Sequence, residues 1–226
     1  GRLIMEVMDF NEDKHKEMNT GGQEKHKNND KKPQKNSPLR ELFSWVFTFA
    51  VAFAAALLIK NYVIINANIP SGSMENTIMP GDDVIGFRLA YKFSDPKRGD
   101  IVIFWPPTDS KDPYIKRIIG LPGEKVTIEP EEKEVDGATI QVGKVYIDGE
   151  ALDEDYLKPE EWDASVGPYE FEVPDNCYLM MGDNRNGSSD ARAWLEKGLD
   201  PYVSKDDIIG KAIFRYYPFN RVGTID

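Results

Sequence analysis

The stretch Asp100-Ile-Val-Ile-Phe-Trp-Pro-Pro-Thr-Asp-Ser-Lys-Asp-Pro-Tyr-Ile-Lys-Arg-Ile-Ile119 decides the fold class. It holds two short runs rich in β-branched and aromatic residues, separated by prolines and polar residues that are typical of turns. Similar runs recur along the chain between turn dipeptides such as Pro80-Gly81 and Asp148-Gly149. No amphipathic segment of helical length alternates with them. We therefore expect a mainly β fold made of antiparallel sheets.

The same composition predicts seven strands in the part of the chain that follows residue 66. They are Asp82–Phe87, Asp100–Trp105, Tyr114–Ile119, Lys125–Ile128, Lys144–Ile147, Cys177–Met181 and Ile209–Tyr217. Residues 129–171 are more acidic than their surroundings and lie between strongly apolar strands. We expect them to form a smaller inserted β subdomain, within a larger β domain of residues 66–128 and 172–226.

Residues 42–59 form a run of 18 residues without a charged side chain. At about 1.5 Å per residue, a helix there would span roughly 27 Å, which is close to a hydrocarbon core. Lys60 can snorkel, and Tyr62–Ile65 suits the interface, so the predicted transmembrane helix covers residues 42–65. A buried helix of a soluble protein and a cleaved signal peptide are the alternatives. An all-round apolar surface argues against the first, and the long preceding segment argues against the second.

Residues 1–41 are polar, with little to bury, and we expect a disordered tail. Five basic residues precede the apolar run within about 15 positions, whereas residues 61–87 contain no Lys or Arg. This asymmetry predicts a single-pass protein of the cell membrane. Its N-terminus would be cytoplasmic and everything after residue 61 extracytoplasmic.

Charge and rare residues limit the possible chemistry. The formal net charge is −11, and residues 42–226 hold 19 Lys and Arg against 31 Asp and Glu, which argues against binding to nucleic acid. The only histidines are His15 and His26, and the only cysteine is Cys177. The β domain therefore has no histidine base, no disulfide and no Cys/His zinc site. A base for nucleophilic catalysis would have to be Lys, Asp, Glu or Tyr.

Three stretches could carry such chemistry. Ile69-Pro-Ser-Gly-Ser-Met74 places serines just after the apolar run, although these residue types are also common in turns. Strand alternation puts Lys116 and Arg117 on opposite faces, so if one face meets solvent, the other basic residue lies among apolar ones. Burial would lower the pKa of a lysine from about 10.4 towards 8. Two solvated charges on an edge strand are the alternative.

The third stretch is the polar loop Met181–Arg192, in which Asp190 and Arg192 could form an ion pair that pins the loop. An ordinary hairpin loop is the alternative. Taken together, the three stretches offer a serine, a lysine able to become neutral and a loop able to orient it. A Ser–Lys dyad is the familiar way to activate a serine without histidine.

Four motifs now resemble, in order, those of bacterial type I signal peptidases. They are Pro70-Ser-Gly-Ser-Met74, Arg98-Gly-Asp-Ile-Val-Ile-Phe104, Tyr114-Ile-Lys-Arg-Ile-Ile-Gly-Leu-Pro-Gly123 and Gly182-Asp-Asn-Arg-Asn-Gly-Ser-Ser-Asp-Ala-Arg192. The likeness covers about residues 42–126 and 172–220. Relatives in the endoplasmic reticulum and in archaea carry histidine at the position of Lys116, so the chain resembles the bacterial Ser–Lys kind. Ala191 departs from the serine that the family often has there.

The resemblance implies a role for each matched residue. Ser73 would be the acylated nucleophile and Lys116 the general base. Ser71 would offer its hydroxyl to the oxyanion hole beside the backbone N–H of Ser73. Ser188 would hold the lysine amine. The implied residues that stiffen this shell are Asp190 and Arg192, and the implied walls of the shallow substrate pockets are Ile69, Pro70, Met74, Tyr114 and Ile115.

The resemblance also implies a function. The chain would be a membrane-anchored serine endopeptidase, a signal peptidase I, that cleaves signal peptides after Ala-x-Ala-like sites and needs no cofactor. Its partners would be signal peptides of secreted preproteins and the lipid bilayer, with the secretion translocon as a further candidate and no nucleic acid. A Ser–Lys protease with another substrate, such as a pilin-processing form, and a non-enzymatic membrane-anchored β domain are the alternatives.

Overall fold

The computed structural model describes residues 37–157 and 167–225. Most of the predicted disordered tail, and residues 158–166 of the predicted insertion, lie outside this part of the chain. The described residues form two α-helices, α1 (Pro38–Tyr62) and α2 (Ala191–Glu196), and twelve strands. The strands are β1 (Ile64–Asn68), β2 (Asp83–Phe87), β3 (Ile101–Phe104), β4 (Tyr114–Gly120), β5 (Lys125–Val135), β6 (Ala138–Ile147), β7 (Glu150–Ala151), β8 (Tyr169–Glu172), β9 (Cys177–Met181), β10 (Tyr202–Ser204), β11 (Ile208–Tyr217) and β12 (Gly223–Thr224).

Helix α1 is shifted towards the N-terminus from the predicted range of 42–65. It begins at Pro38 because proline suits the first helical position and the Ser37 hydroxyl accepts a hydrogen bond from the backbone N–H of Arg40. It ends at Tyr62 because Ile64–Asn68 pairs with β2 as a strand. No residue of α1 is buried, and the helix is long and apolar enough to cross a membrane by length and composition.

The strands form two antiparallel sheets, and the predicted mainly β fold is confirmed. The first sheet has eight strands in the order β1-β2-β11-β3-β4-β9-β10, with β12 beside β11. The second sheet has four strands in the order β7-β6-β5-β8. The strands β1, β7, β8, β10 and β12 were not predicted from the sequence. All five are short, with two to five residues, which leaves little room for a periodic pattern.

The second sheet does not respect the predicted boundary at residue 129. Strand β5 runs unbroken from Lys125 to Val135 and pairs with β6, so residues 125–128 belong to this sheet. At the other end, β8 finishes at Glu172. The acidic residues did not break the strand because glutamates such as Glu131 and Glu132 are exposed, where their charge stays in water. The separation of 129–171 as a subdomain stays a prediction.

Apolar side chains cover both faces of the first sheet at β3. Val102 and Phe104 belong to one buried cluster, which we call the first core, and it also holds Trp194 of α2. Ile101 and Ile103 belong to a second cluster, the second core. Alternate residues of one short strand thus face two different cores. The neighbouring strand β4, which carries Lys116, is enclosed in the same way.

Candidate active site

Lys116 lies in the middle of β4, between β3 and β9. Its side chain is only 4% exposed, and its Nζ lies 2.7 Å from Ser73 Oγ, to which it donates a hydrogen bond. A second hydrogen bond, of 3.0 Å, goes to the carbonyl oxygen of Ile115, and the ring centroid of Tyr114 lies 5.4 Å away. The structure thus brings together the serine and the lysine that the sequence motifs singled out.

Burial changes the acidity of Lys116. Loss of water around the ammonium disfavours the charged form and lowers the pKa from 10.5 to about 8, although the carboxylates of Asp190 and Asp183 act in the opposite direction. The direction and the size agree with the sequence-based expectation. At pH 7, about one amine in ten is then free of its extra proton.

Ser73 lies in a compact turn between β1 and β2, which we call the nucleophile turn (residues 69–82). The side chains of Met74 and Ile78 are fully buried in the second core and anchor the turn. The Met74 carbonyl accepts backbone hydrogen bonds from Thr77 at 3.1 Å and Ile78 at 2.8 Å. Among the described residues, the backbone N–H of Ser73 has no hydrogen-bond acceptor. This donor is available to a substrate oxygen.

A polar loop after β9, residues 182–190, holds the nucleophile turn in place. The backbone N–H of Asn184 donates to the carbonyl oxygen of Ser73 at 3.1 Å, and its side-chain amide donates to that of Gly72 at 3.0 Å. Gly182 packs so closely that a Cβ there would overlap the Ser73 carbonyl oxygen and the Ser188 hydroxyl. Glycine at 182 and an amide at 184 therefore fix how the serine backbone meets this loop.

Arg117 shows that the condition set for β4, one face open to solvent, is not met, and neither is the alternative of two solvated charges. Its side chain is also only 4% exposed. Its guanidinium donates two hydrogen bonds to the Asp183 carboxylate, at 2.9 and 2.8 Å, and a third to the carbonyl oxygen of Gly99 at 2.9 Å. Thr77 of the nucleophile turn donates to the same carboxylate. Both faces of β4 are covered, because the loop after β9 and the nucleophile turn close over the Arg117 side.

Asp190 and Arg192 form a buried ion pair at the end of the loop. Arg192 Nε and Nη2 donate to the two Asp190 oxygens at 3.0 and 2.9 Å, and the carboxylate also accepts from the backbone N–H of Gly182 at 3.1 Å. Burial alone would raise the pKa of Asp190, but the Arg192 charge and these hydrogen bonds more than offset it, so the pKa lies below its ordinary value. The pair fixes the loop against the start of α2.

The other two serines of the expected site are placed differently. Ser71 is exposed beside Ser73 and lines the groove described below. Ser188, which the family resemblance assigns to holding the lysine amine, does not bond to Lys116. Its Oγ is buried and lies near the Asp190 carboxylate, whose pKa it helps to lower. The hydroxyl packs closely against Gly182, and its role in holding the amine stays a prediction.

A groove of about 960 Å³ opens in front of Ser73 and Lys116. Four of the five predicted pocket residues line it, and they are Ile69, Pro70, Tyr114 and Ile115. Met74 does not, because the turn directs its side chain into the second core, where it is fully buried. Arg88, Trp105 and Asp112 line the groove as well, and the sequence analysis had not singled them out. Within residues 37–157 and 167–225, no group of three His, Cys, Asp or Glu side chains could hold a metal.

Comparison with known families identifies the chain. Residues 42–217 match the family described as signal peptidase, peptidase S26, which is well over half of the 226 residues. The chain belongs to this signal peptidase family. The resemblance to bacterial type I signal peptidases is thereby confirmed, and so is the predicted enzyme class, signal peptidase I.

Individual signal peptidases show the same relationship. A probable signal peptidase I-2 of Synechocystis sp. is 36% identical over 187 residues, covering 79% of this chain and 74% of that protein. Signal peptidase I of Leptolyngbya laminosa is 36% identical over 200 residues, with 85% and 87% covered. Signal peptidase IB of Staphylococcus aureus is 30% identical, with 80% and 92% covered. A crystal structure of a signal peptidase I from Enterococcus faecalis aligns at a TM-score of 0.37 and 28% identity, over 52% of this chain and 97% of the other.

Several residues of this signal peptidase site were given no role by the sequence analysis. Asp183 and Asn184 stand inside the quoted motif that begins at Gly182, yet only Ser188, Asp190 and Arg192 had been given functions there. Thr77 lies outside the four quoted motifs, and no sequence pattern indicated a role for it. Asp and Asn in a glycine-containing loop between a strand and a short helix could have been read as backbone and ion-pair partners.

Proposed function

We propose that the chain is a membrane-anchored serine endopeptidase that cleaves exported preproteins by a Ser73–Lys116 dyad. The observation that carries this proposal is the 2.7 Å separation between Lys116 Nζ and Ser73 Oγ in a site that excludes most water. With the amine neutral, the Ser73 hydroxyl donates its proton to Nζ while Oγ attacks the carbonyl carbon of the scissile bond. Burial supplies the neutral amine by lowering its pKa.

The tetrahedral intermediate places a negative charge on the former carbonyl oxygen. The backbone N–H of Ser73, which has no acceptor among the described residues, is suited to donate one hydrogen bond to this oxygen. The exposed hydroxyl of Ser71, which lines the same groove, would be the second donor. Each such donor is typically worth about 3 kcal/mol of transition-state stabilisation. Lys116, now an ammonium, passes its proton to the leaving amine. In the second half, Lys116 takes a proton from a water molecule, the water oxygen bonds to the acyl carbon, and the proton passes to Ser73 Oγ as its bond to that carbon breaks.

The groove supports a peptide substrate with small side chains. Its walls beside Ser73 are apolar, with Ile69 and Ile115 almost completely buried behind the groove surface. Cleavage after an Ala-x-Ala-like sequence, the usual end of a signal peptide, fits these walls. The relatives are named for acting on signal peptides, and we extend that substrate to this chain.

Helix α1 supports a membrane location for the enzyme. Its apolar length suits a single span, and the basic residues before it favour a cytoplasmic N-terminus and an extracytoplasmic active site. A signal peptide also carries an apolar segment, so enzyme and substrate would share the bilayer. The secretion translocon, which delivers such substrates, is then a natural neighbour.

Replacement of the two dyad residues tests the proposal. Ser73→Ala and Lys116→Ala should each abolish cleavage of a preprotein in detergent, whereas the exposed Lys92→Ala serves as a matched control with normal activity. Full cleavage by either dyad variant would contradict the proposed mechanism. Covalent labelling at Ser73 by a β-lactam-type acylating inhibitor adds an independent readout. Absence of labelling in the unmodified chain would favour a non-enzymatic domain instead.

A further inference from the structure

The segment Leu152–Leu157 follows β7 and leaves the second sheet. Its first residue is tied to β6: the Leu152 N–H donates to the Val145 carbonyl at 2.8 Å, and its carbonyl accepts from Lys144 Nζ at 2.9 Å. The side chains of Leu152, Tyr156 and Leu157 then pack against the first core. This packing carries two polar side chains of the segment, Glu154 and Tyr156, to the residues behind the candidate active site.

Glu154 forms a buried ion pair with Arg185 of the loop after β9. The two side chains are 6% and 1% exposed, and both Glu154 carboxylate oxygens accept from the guanidinium. Arg185 Nε also donates to the Gly182 carbonyl at 2.9 Å, and the Arg185 carbonyl accepts from Arg192 at 2.8 Å. Arg185 thus joins Glu154 to both ends of the loop that supports Ser73.

Tyr156 contacts the other two parts of the site. Its ring centroid lies 4.0 Å from the Arg117 guanidinium carbon, a cation–π geometry. Its hydroxyl donates to Glu154 at 2.7 Å. Its backbone carbonyl accepts from the Asn76 side chain of the nucleophile turn at 3.3 Å. One residue therefore touches the nucleophile turn, the neighbour of Lys116 on β4, and the carboxylate that holds the loop.

Among the described residues, each of the two buried arginines of this cluster has its own carboxylate partner. Arg117 and Arg185 are both buried and lie close enough to repel each other. Asp183 is the carboxylate partner of Arg117, and Glu154 is that of Arg185. A buried charge is tolerated when an opposite charge and hydrogen bonds accompany it. Without Glu154 the Arg185 side chain would lose its carboxylate, and the loop that it holds would have to shift.

We propose that Glu154 and Tyr156 are positioning residues of the peptidase reaction. They fix Arg185 and Arg117 and, through them, the loop, the turn and the strand that place Ser73 against Lys116. Neither residue lines the groove, so neither contacts the substrate there. The inference rests on the proposed roles of Ser73 and Lys116. It gives a function to the chain between the two sheets, for which the sequence suggested none.

Kinetics of Glu154→Gln test this inference in the full chain in detergent. Asp155→Asn is the matched control, because it makes the same change of charge at the next residue, whose side chain is exposed. The rate is expressed per active site titrated with an acylating inhibitor, so that unfolded molecules are not counted. We expect kcat to fall about tenfold or more with KM within about twofold, because misplacement of reacting groups slows the chemical step. Asp155→Asn should change neither constant.

Tyr156→Phe keeps the ring on Arg117 and removes only the hydroxyl that bonds Glu154, so it gives a result even if Glu154→Gln fails to fold. It should lower kcat in the same direction by a smaller factor. The double variant should lose little more than Glu154→Gln alone, because the two changes break one contact. Unchanged kcat in both single variants, or a rise in KM alone, would overturn the inference. Fully additive losses would overturn the shared action of the two residues.

Ser73→Ala, measured in the same series, separates this inference from the proposed function. Full activity of Ser73→Ala would contradict the proposed Ser73–Lys116 dyad, regardless of the kinetics of Glu154→Gln. If Ser73→Ala is inactive and Glu154→Gln has the same kinetics as the control Asp155→Asn, the dyad stands. Only the positioning role of Glu154 is then overturned.

Discussion

Lys116 and Arg117 are neighbours on β4, carry the same charge when protonated, and are equally buried at 4% exposure. Their surroundings differ. Arg117 meets the Asp183 carboxylate through two hydrogen bonds. Within residues 37–157 and 167–225, Lys116 meets only the Ser73 hydroxyl and a carbonyl oxygen at hydrogen-bond distance. Burial lowers the pKa of Lys116 to about 8. Burial also acts to lower the pKa of Arg117, but the hydrogen bonds and the charge of Asp183 more than offset it and raise the pKa.

The comparison shows that burial alone does not make a basic residue reactive. Arg117 keeps its proton because a guanidinium is a very weak acid, and the carboxylate in direct contact compensates the lost water. Lys116 can release its proton because the nearest carboxylates act on it without a direct ion pair among the described residues. One strand therefore carries a structural charge on one face and a candidate base on the other. The following experiments test this division.

Lys116→Met should separate activity from stability. Cleavage should fall by about 10³-fold or more, because a general base is lost from a dyad whose members act together. The free energy of unfolding at pH 7 should rise by about 1 to 3 kcal/mol, because a buried ammonium is replaced by an apolar side chain of similar length. Preprotein cleavage and urea unfolding measure the two effects. A strongly destabilised Lys116→Met would contradict the description of Lys116 as a buried charge without an ion pair.

Arg117→Met should show the opposite balance. It leaves the Asp183 carboxylate buried without its guanidinium, so the free energy of unfolding should fall by about 3 to 5 kcal/mol. Arg88, whose side chain is exposed, gives the control, and Arg88→Met should stay within about 0.5 kcal/mol. Urea unfolding of both variants measures the difference. Equal stability of the two would mean that the Arg117–Asp183 pair adds nothing.

The stability gap between the wild-type chain and Lys116→Met should depend on pH. The folded pKa of Lys116 is about 8 and its reference value is 10.5, so between these values the unfolded chain binds more protons. Wild-type stability should therefore rise with pH relative to Lys116→Met in this window, by up to about 3 kcal/mol. Below pH 8 the cost of the buried ammonium is fully present. Unfolding curves at pH 7 and above test this, and a constant gap would show that the pKa is not lowered.

Gly182→Ala should weaken the reaction with a smaller effect. The added methyl group would overlap the Ser73 carbonyl oxygen, so the nucleophile turn would have to shift, which changes the position of Ser73 against Lys116. We expect kcat to fall by about 10- to 100-fold. Gly223 has open space at its Cβ position and a backbone that other residues can adopt, so Gly223→Ala is the control. Similar kcat values for the two variants would show that the close approach at Gly182 does not position Ser73.

The sequence was sufficient for the parts of the site that depend on residue type. The lack of histidine beyond residue 26 left Lys, Asp, Glu or Tyr as a base, and the four motifs resembled those of a family with a Ser–Lys dyad, which implied Ser73 and Lys116. The strands β3, β4 and β9 were predictable because their apolar runs end at prolines and glycines. Fold class and family follow from these local features.

The errors arose where a side chain's fate depends on distant parts of the chain. Alternation along β4 places Lys116 and Arg117 on opposite faces, but it cannot say what covers each face. The family resemblance placed Met74 in a pocket wall, yet the tight turn directs its side chain into the second core. Strand β1 follows α1 so closely that its isoleucines extended the apolar run and suggested more helix. Asn184 acts on backbone carbonyls, a role that no residue pattern marks.

Val63 alone separates α1 from β1. Its N–H donates to the Ile59 carbonyl in the last turn of the helix, and its own carbonyl accepts from the Arg88 N–H, each at 2.9 Å. Both backbone groups of the single connecting residue are therefore hydrogen-bonded, which restricts movement of β1 relative to the end of α1. In the proposed membrane enzyme, β1 and its pairing with β2 would fix the distance between Ser73 and the end of the membrane span. With this distance fixed, the peptide bond that is cut would depend on its distance from the bilayer as well as on the side chains around it.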